Sequence, residues 1–282
     1  MEAGDQAQQS HERSGAPEYG DCPVVLLPGL LTTPQIWETA QNVLAQDGWA
    51  SHAAMCPALE TVEAIADQLA TSLPERCHLV GFSFGGYVAL AIQDLYPERV
   101  ASLCLVGSGG NCDNKALRVF RQQCIDEVCA GNFPAVSAKL AEAALMSNPF
   151  RTSGLAEQAV TMAHDYGADR FVAHLRACMT RPDRTRVLET AEISLHFISG
   201  AQDLTVPLAL QQRSAEAGGG MLHLIDKAAH LVPLEQPQAL SELLVSCLKQ
   251  TGRISMRAAH IAPAMDLDAA STREADSERQ TS

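Results

Sequence analysis

Gly81-Phe82-Ser83-Phe84-Gly85-Gly86 stands between an apolar run, Cys77-His78-Leu79-Val80, and a helix-forming one, Tyr87-Val88-Ala89-Leu90-Ala91-Ile92. The spelling is G-x-S-x-G between a strand and a helix. A serine at the tip of so sharp a turn is pushed toward unfavourable φ/ψ, while strand and helix pass at short range. Glycine at 81 and 85 offers no Cβ to collide, and glycine at 86 lets the helix start against the sheet. The helix N-terminus then aims backbone N–H groups at a place where negative charge can develop. An ordinary βα turn with a surface serine has the same spelling, so the rest of the chain must decide.

Upstream, Pro23-Val24-Val25-Leu26-Leu27 is a short continuous apolar run, suited to a strand buried on both faces. It ends in Pro28-Gly29-Leu30-Leu31-Thr32-Thr33. A helix is expected from Pro34 to Ala45, with Thr33 as N-cap and Pro34 at its first position. A weaker strand over 49–56 is closed by Pro57, and the spacing of Val62, Ile65, Ala66 and Leu69 predicts a helix over 62–72. Downstream, the helix after Ser83 runs to Tyr96 and breaks at Pro97. A strand over 100–106 then leads into Gly107-Ser108-Gly109-Gly110.

After Gly110 the strand–helix rhythm stops. Residues 111–188 carry only helical spacing, as in Leu117/Phe120/Cys124, Val136/Leu140/Ala144, Leu155/Ala159/Met162 and Phe171/Leu175/Cys178. The rhythm resumes with a strand over 193–198, a helix over 207–217, a strand over 221–225 and a last helix over 237–249. The class is therefore α/β: a mostly parallel sheet of about six strands, helices on both faces and an inserted helical cap. The expected organisation is a polar disordered leader over 1–22, a core formed by 23–110 and 189–250, a cap over 111–188, and a polar tail over 251–282. In such sheets ligands bind at the carboxyl ends of the strands.

A serine hydroxyl is a poor nucleophile near neutral pH, so it needs a base, and the base needs an orienter. Asp203 follows the strand that ends at Phe197-Ile198. His230 follows Leu224-Ile225 and is the sole histidine between the final strand and the final helix. Singly, Asp203 reads as well as an Asx turn or helix cap, and His230 as a surface residue. Ser83, Asp203 and His230 together, in that order and each at a strand end, form a nucleophile–base–orienter set. His230 would take the Ser83 proton and return it to the leaving group, while Asp203 holds the tautomer.

Pro28-Gly29-Leu30, the Gly81–Gly86 turn, Gly200-Ala201-Gln202-Asp203 and Ala229-His230 together resemble the α/β-hydrolase superfamily, in its small, lidded esterase and C–C hydrolase branch. The resemblance covers residues 23–249. It implies an oxyanion hole made by two backbone N–H groups, those of Phe84 and Leu30, and a cap in the slot that 111–188 occupies. Relatives carry His-Gly where this chain has Pro28-Gly29, and they begin with two antiparallel edge strands, whereas the residues before Pro23 do not read as a hairpin, so a sheet without that edge is expected. Related dehalogenases and epoxide hydrolases place an aspartate where Ser83 stands. The implied reaction is cleavage of a small or medium carboxylic ester through an acyl-enzyme. C–C bond hydrolysis of diketones, thioester hydrolysis, and a non-catalytic ligand receptor on the same fold stay open beside it.

With 282 residues, 46% of them hydrophobic, the chain can bury a large core. A formal net charge of −13 speaks against nucleic acid as a partner, because phosphate binding needs clustered Lys and Arg. No apolar run spans a bilayer and no secretory h-region is present, so a cytoplasmic protein acting on a small molecule is expected. Nine cysteines without a C-x-x-C pair fit free thiols in a reducing compartment. No cofactor and no metal site is expected; His164 and His174 lack metal-ligand spacing. Leu31, Phe82, Met146, Phe150, Met162, Leu204 and Leu231 are the expected pocket residues. Arg118, Arg121, Arg176 and Arg181 in the cap read as solvated surface or as partners of a substrate carboxylate.

Overall fold

The computed structural model describes residues 22–146 and 153–261. Six strands form one parallel sheet: β1 (Val24–Leu27), β2 (Ser51–Ala53), β3 (Cys77–Phe82), β4 (Val100–Val106), β5 (Ser194–Gly200) and β6 (Leu222–Ile225). Their order across the sheet is β2-β1-β3-β4-β5-β6. Every neighbouring pair is parallel, so no antiparallel edge strand occurs among the described residues.

The apolar runs of the strands feed two cores, one on each face, because successive side chains point to opposite sides. Val24, Leu26, Val80, Phe82, Cys104, Val106 and Ile198 face one side. There α1 (Glu38–Gln46) and, after the short α10 (Val232–Glu235), α11 (Pro237–Ile261) cover them, through Ala40 and Leu44, and Leu240, Leu244 and Leu248. Val25, Leu27, Leu79, Leu103, Leu105 and Phe197 face the other side. They meet α2 (Val62–Ala70), α3 (Phe84–Leu95), α8 (Thr185–Thr190) and α9 (Leu208–Ala217). α2 opens with Thr61, whose hydroxyl accepts from the Ala64 N–H at 3.2 Å.

Between β4 and β5 lie α4 (Lys115–Glu127), α5 (Phe133–Met146), α6 (Leu155–Tyr166) and α7 (Ala168–Thr180), followed by α8. A wide turn at Val128–Asn132, with Gly131 at φ 92°, joins α4 to α5. α4 to α7 share a third apolar cluster around Ile125, Val136, Tyr166, Phe171 and Leu175, closed from below by Leu31. α8 differs from these four, since Leu188 packs with the helices on the sheet face.

Three local expectations need correction. Thr33 sits at the N-cap position before Pro34, but its hydroxyl bonds the Gln35 side chain and no backbone N–H. The first turn is a tight 3₁₀ turn, Pro34–Trp37, before α1 begins. α11 passes the expected stop at Lys249 and runs to Ile261. Gly252 costs only about 1 kcal/mol inside a helix, and no proline intervenes before Pro263. The expected leader over 1–22 lies outside the described residues apart from Cys22, as does the tail beyond Ile261. Among the described residues no helix is long and apolar enough to cross a membrane.

Three histidines give the fold an acid sensitivity. His78 on β3 meets the Ser102 hydroxyl of β4 at 2.7 Å, and Trp49 packs edge-on against its ring. His196 on β5 meets Thr251 of α11 at 3.1 Å. His174 on α7 lies between the Tyr166 hydroxyl and the Pro57 carbonyl. Burial holds all three down at about 4. In the unfolded chain they protonate near pH 6.5, so between that pH and about 4 the unfolded state binds more protons. Stability is therefore full above about pH 6.5 and falls as pH drops toward 4, by about 1.4 kcal/mol per pH unit for each histidine. Urea midpoints at pH 7 and pH 5 should differ in that sense, and His78→Gln should make the drop shallower. A midpoint that rises on acidification would refute the account.

Candidate active site

Ser83 sits between β3 and α3 with φ 50° and ψ −113°, a conformation L-residues rarely adopt. Its turn is over-determined. The Ser83 N–H donates to the Val106 carbonyl at 2.8 Å, and the Ser83 carbonyl accepts from the Gly86 N–H at 2.9 Å. The Ser108 hydroxyl donates to the same carbonyl at 2.9 Å. A Cβ on Gly81 would stand 2.5 Å from the Gly85 carbonyl oxygen, and one on Gly86 would meet Ser108 Cβ at 2.5 Å. Three glycines and a serine of the next strand end thus hold the strain in place.

The base and its orienter come from the ends of β6 and β5, on the far side of β4 from β3. Ser83 Oγ stands 3.0 Å from His230 Nε2, and His230 Nδ1 stands 2.9 Å from Asp203 Oδ2. With Nδ1–H donating to the carboxylate, Nε2 is left to accept the serine proton. Asp203 is 2% exposed and His230 5% exposed, so the pair is shielded from screening by water. The Phe82 ring lies against the imidazole, 5.2 Å between centroids.

Asp203 serves both readings weighed from its sequence. Oδ1 accepts the N–H groups of Thr205 at 2.9 Å and Val206 at 3.0 Å, an Asx turn, while Oδ2 faces His230. Gln211 of α9 donates to Oδ2 at 3.2 Å and to the Val206 carbonyl at 2.7 Å. Three donors besides the imidazole therefore hold this carboxylate, and no local pattern around Gln211 announces that role.

Leu30 and Phe84 both line the space in front of Ser83. Phe84 opens α3, so its N–H has no acceptor within the helix. Among the described residues neither backbone N–H has a hydrogen-bond partner. The Leu30 loop is braced by the Thr32 hydroxyl, which donates to the Gly29 carbonyl at 3.1 Å. Leu31 is turned to φ 58°, a left-handed conformation costly for a branched side chain. The ring of His174 stacks on Phe84 with 4.4 Å between centroids, fixing the residue after the serine from the α7 side.

A cavity of about 440 Å³ opens onto Ser83 and His230 beneath α4 to α7. That volume suits a small or medium organic ligand. Leu31, Phe82, Leu204 and Leu231 line it, Leu204 at the rim with 78% exposure. Met162 is not among its described walls. It packs instead against the core cluster that holds Leu145, Leu155 and Ala159, because Ala159, one turn earlier, takes the cavity-facing position. Phe150 and the side chain of Met146 lie outside the described residues. Phe120 and Phe171 of the inserted helices do line the cavity, whereas Phe133 and Met179 pack against the third cluster. Arg121 and Arg181 are cavity walls rather than solvated surface, and both pair with Asp113. Arg176 pairs with Glu60 on the outside. Among the described residues no three His, Cys, Asp or Glu side chains gather as a metal would require.

Residues 24–243 match the family model described as alpha/beta hydrolase family. The dihydrolipoyllysine-residue acetyltransferase component of an acetoin cleaving system from Pseudomonas putida is 26% identical over 68% of this chain and 50% of its own length. A pimeloyl-[acyl-carrier protein] methyl ester esterase from Klebsiella pneumoniae is 30% identical over 38% of this chain and 48% of its own. The chain thus spans about half the length of these two curated relatives. Among solved structures, a thermophilic esterase from Thermogutta terrifontis superposes with a TM-score of 0.72 at 22% identity, over 82% of this chain and 91% of that one. At that identity the likeness speaks to the fold alone.

Proposed function

The chain belongs to the alpha/beta hydrolase family, and from that premise we propose that it is a serine hydrolase cleaving carboxylic esters of small or medium size. One observation carries the reading. Asp203, His230 and Ser83 form an unbroken hydrogen-bonded line, 2.9 and 3.0 Å in its two steps, that ends at the wall of a mainly apolar cavity. The esterase named among the relatives supports the same reaction class. α4 to α7 serve as a cap over the site, and α8 belongs with the core.

In the proposed cycle Ser83 Oγ attacks the ester carbonyl carbon while its proton passes to His230 Nε2. Asp203 stabilises the imidazolium that forms. The carbonyl π electrons move to oxygen, and that negative charge meets the N–H groups of Leu30 and Phe84 at the positive end of α3. Collapse expels the alcohol, which takes the proton from His230 and leaves the acyl group on Ser83. Water then gives a proton to His230 and attacks the acyl carbon. A second collapse frees the acid and returns the proton to Ser83. No step calls for a cofactor. Buried thiols such as those of Cys56, Cys104 and Cys178 suit this enzyme to a reducing cytoplasm.

A panel of substrates tests the reaction class. p-Nitrophenyl butyrate should be turned over with a kcat/KM at least about ten-fold above that for a diketone or an acyl thioester of equal acyl length, since only the ester matches the proposed cycle and leaving group. A diketone or thioester preferred over every ester would replace this reading with one of those two chemistries. Binding of all three without turnover would favour a receptor.

A further inference from the structure

One part of the cavity wall is out of keeping with the rest. Arg121 of α4 and Arg181, just after α7, both line the cavity, and one carboxylate, Asp113 from the loop after β4, stands behind them. Arg121 Nε donates to Asp113 Oδ2 at 2.5 Å and its Nη2 weakly to Oδ1 at 3.4 Å. Arg181 Nη1 donates to Asp113 Oδ1 at 2.6 Å and to the Cys178 carbonyl at 2.7 Å, and its Nη2 to the Asn111 carbonyl at 3.1 Å. Its guanidinium also lies 3.8 Å over the Tyr87 ring. Arg181 thus holds the loop, the helix end and the ring together through both terminal nitrogens, while its buried Nε has no hydrogen-bond partner among the described residues.

Arg121 is not. Its Nη1 has no hydrogen-bond partner among the described residues, although its side chain is only 11% exposed. The Tyr87 hydroxyl, on the same cavity, is also without one. Two guanidinium groups against one carboxylate leave a surplus of one positive charge, and no Asp or Glu lines the cavity among the described residues. A half-paired cation in an apolar wall is costly for folding alone. It becomes favourable when an anion supplies the missing partner.

We propose that Arg121, with Tyr87 beside it, forms a subsite for a carboxylate on the substrate, so that the ester cleaved at Ser83 is the half-ester of a dicarboxylic acid or a close analogue. One surplus charge matches a carboxylate, and the planar fork of the guanidinium suits its two oxygens. A phosphate monoester would bring about two charges and leave one uncompensated. The apolar walls contributed by Leu117, Phe120, Leu140 and Phe171 would carry the methylene chain between the two ends.

The inference rests on the proposed ester chemistry only for the second end of the ligand, and its test does not need turnover. Calorimetric titration of Ser83→Ala protein with monomethyl adipate and with dimethyl adipate compares a charged and a neutral ligand of the same length. The monoanion should bind at least about ten-fold more tightly. That ratio should collapse toward one in Ser83→Ala/Arg121→Gln and be largely kept in Ser83→Ala/Arg121→Lys, which retains the charge. Equal binding of the two ligands to Ser83→Ala protein, or a ratio untouched by Arg121→Gln, would overturn the subsite. Failure of the ester chemistry would instead show as absence of turnover in the Ser83-containing protein with the binding ratio intact.

Discussion

Replacing Ser83 with alanine should lower ester turnover by about a thousand-fold or more and abolish labelling by a fluorophosphonate probe. The size follows from what is lost. A catalysed acyl transfer becomes direct attack by water, with only binding and the two backbone N–H groups left to help. His230→Ala should cost about as much, because Ser83 without its base, 3.0 Å away, is an ordinary alcohol. The double variant should then be hardly worse than either single one. Groups that act as a unit are not additive, whereas independent contributions would multiply. Labelling should be weak or absent in His230→Ala for the same reason. Undiminished labelling of Ser83→Ala would mean another residue is the nucleophile.

The ease with which this site could be read has a physical basis. β1, β3 and β4 are buried on both faces, so their sequences are continuous apolar runs bounded by turn residues, and each was legible within a residue or two. Ser83 was legible because its turn permits only glycine at 81, 85 and 86. Asp203 and His230 were legible because parallel topology sends every strand end to one edge. What stayed hidden depends on packing between segments far apart in sequence. Nothing near Leu31 announces a left-handed backbone, and nothing near Gln211 announces a bond to Asp203. Asp113 and Arg181 lie 68 positions apart, and only the arrangement of α4 and α7 makes them a buried pair. The side of α6 on which Met162 falls is likewise decided by the helices around it, since helical spacing gives a face but no neighbour.

The glycines of the turn invite a second large effect, this time on folding. A Cβ placed on Gly85 would overlap the Leu27 carbonyl oxygen and come within 2.7 Å of both the Leu27 carbonyl carbon and the Pro28 carbonyl oxygen. All three are backbone atoms of β1 and the loop after it, so no side chain can swing aside. Either α3 or β1 must move in a core where β1 and all of α3 up to Gln93 are buried. Gly85→Ala should therefore cost about 3 kcal/mol or more in urea unfolding, the upper range for overpacked sites. Gly219→Ala makes the comparison: its φ is 65°, yet nothing lies within 4 Å of an added Cβ. It should lose only about 1 kcal/mol, the cost of a left-handed alanine. The residual activity of Gly85→Ala is informative too. The displaced loop carries Leu30, whose N–H meets the developing oxyanion in the proposed cycle, so folded Gly85→Ala should lose kcat more than it raises KM. Gly85→Ala within about 0.5 kcal/mol of the parent chain would mean that β1 and α3 tolerate separation, and the tight approach that aims Ser83 and the two N–H groups at one point would lose its support.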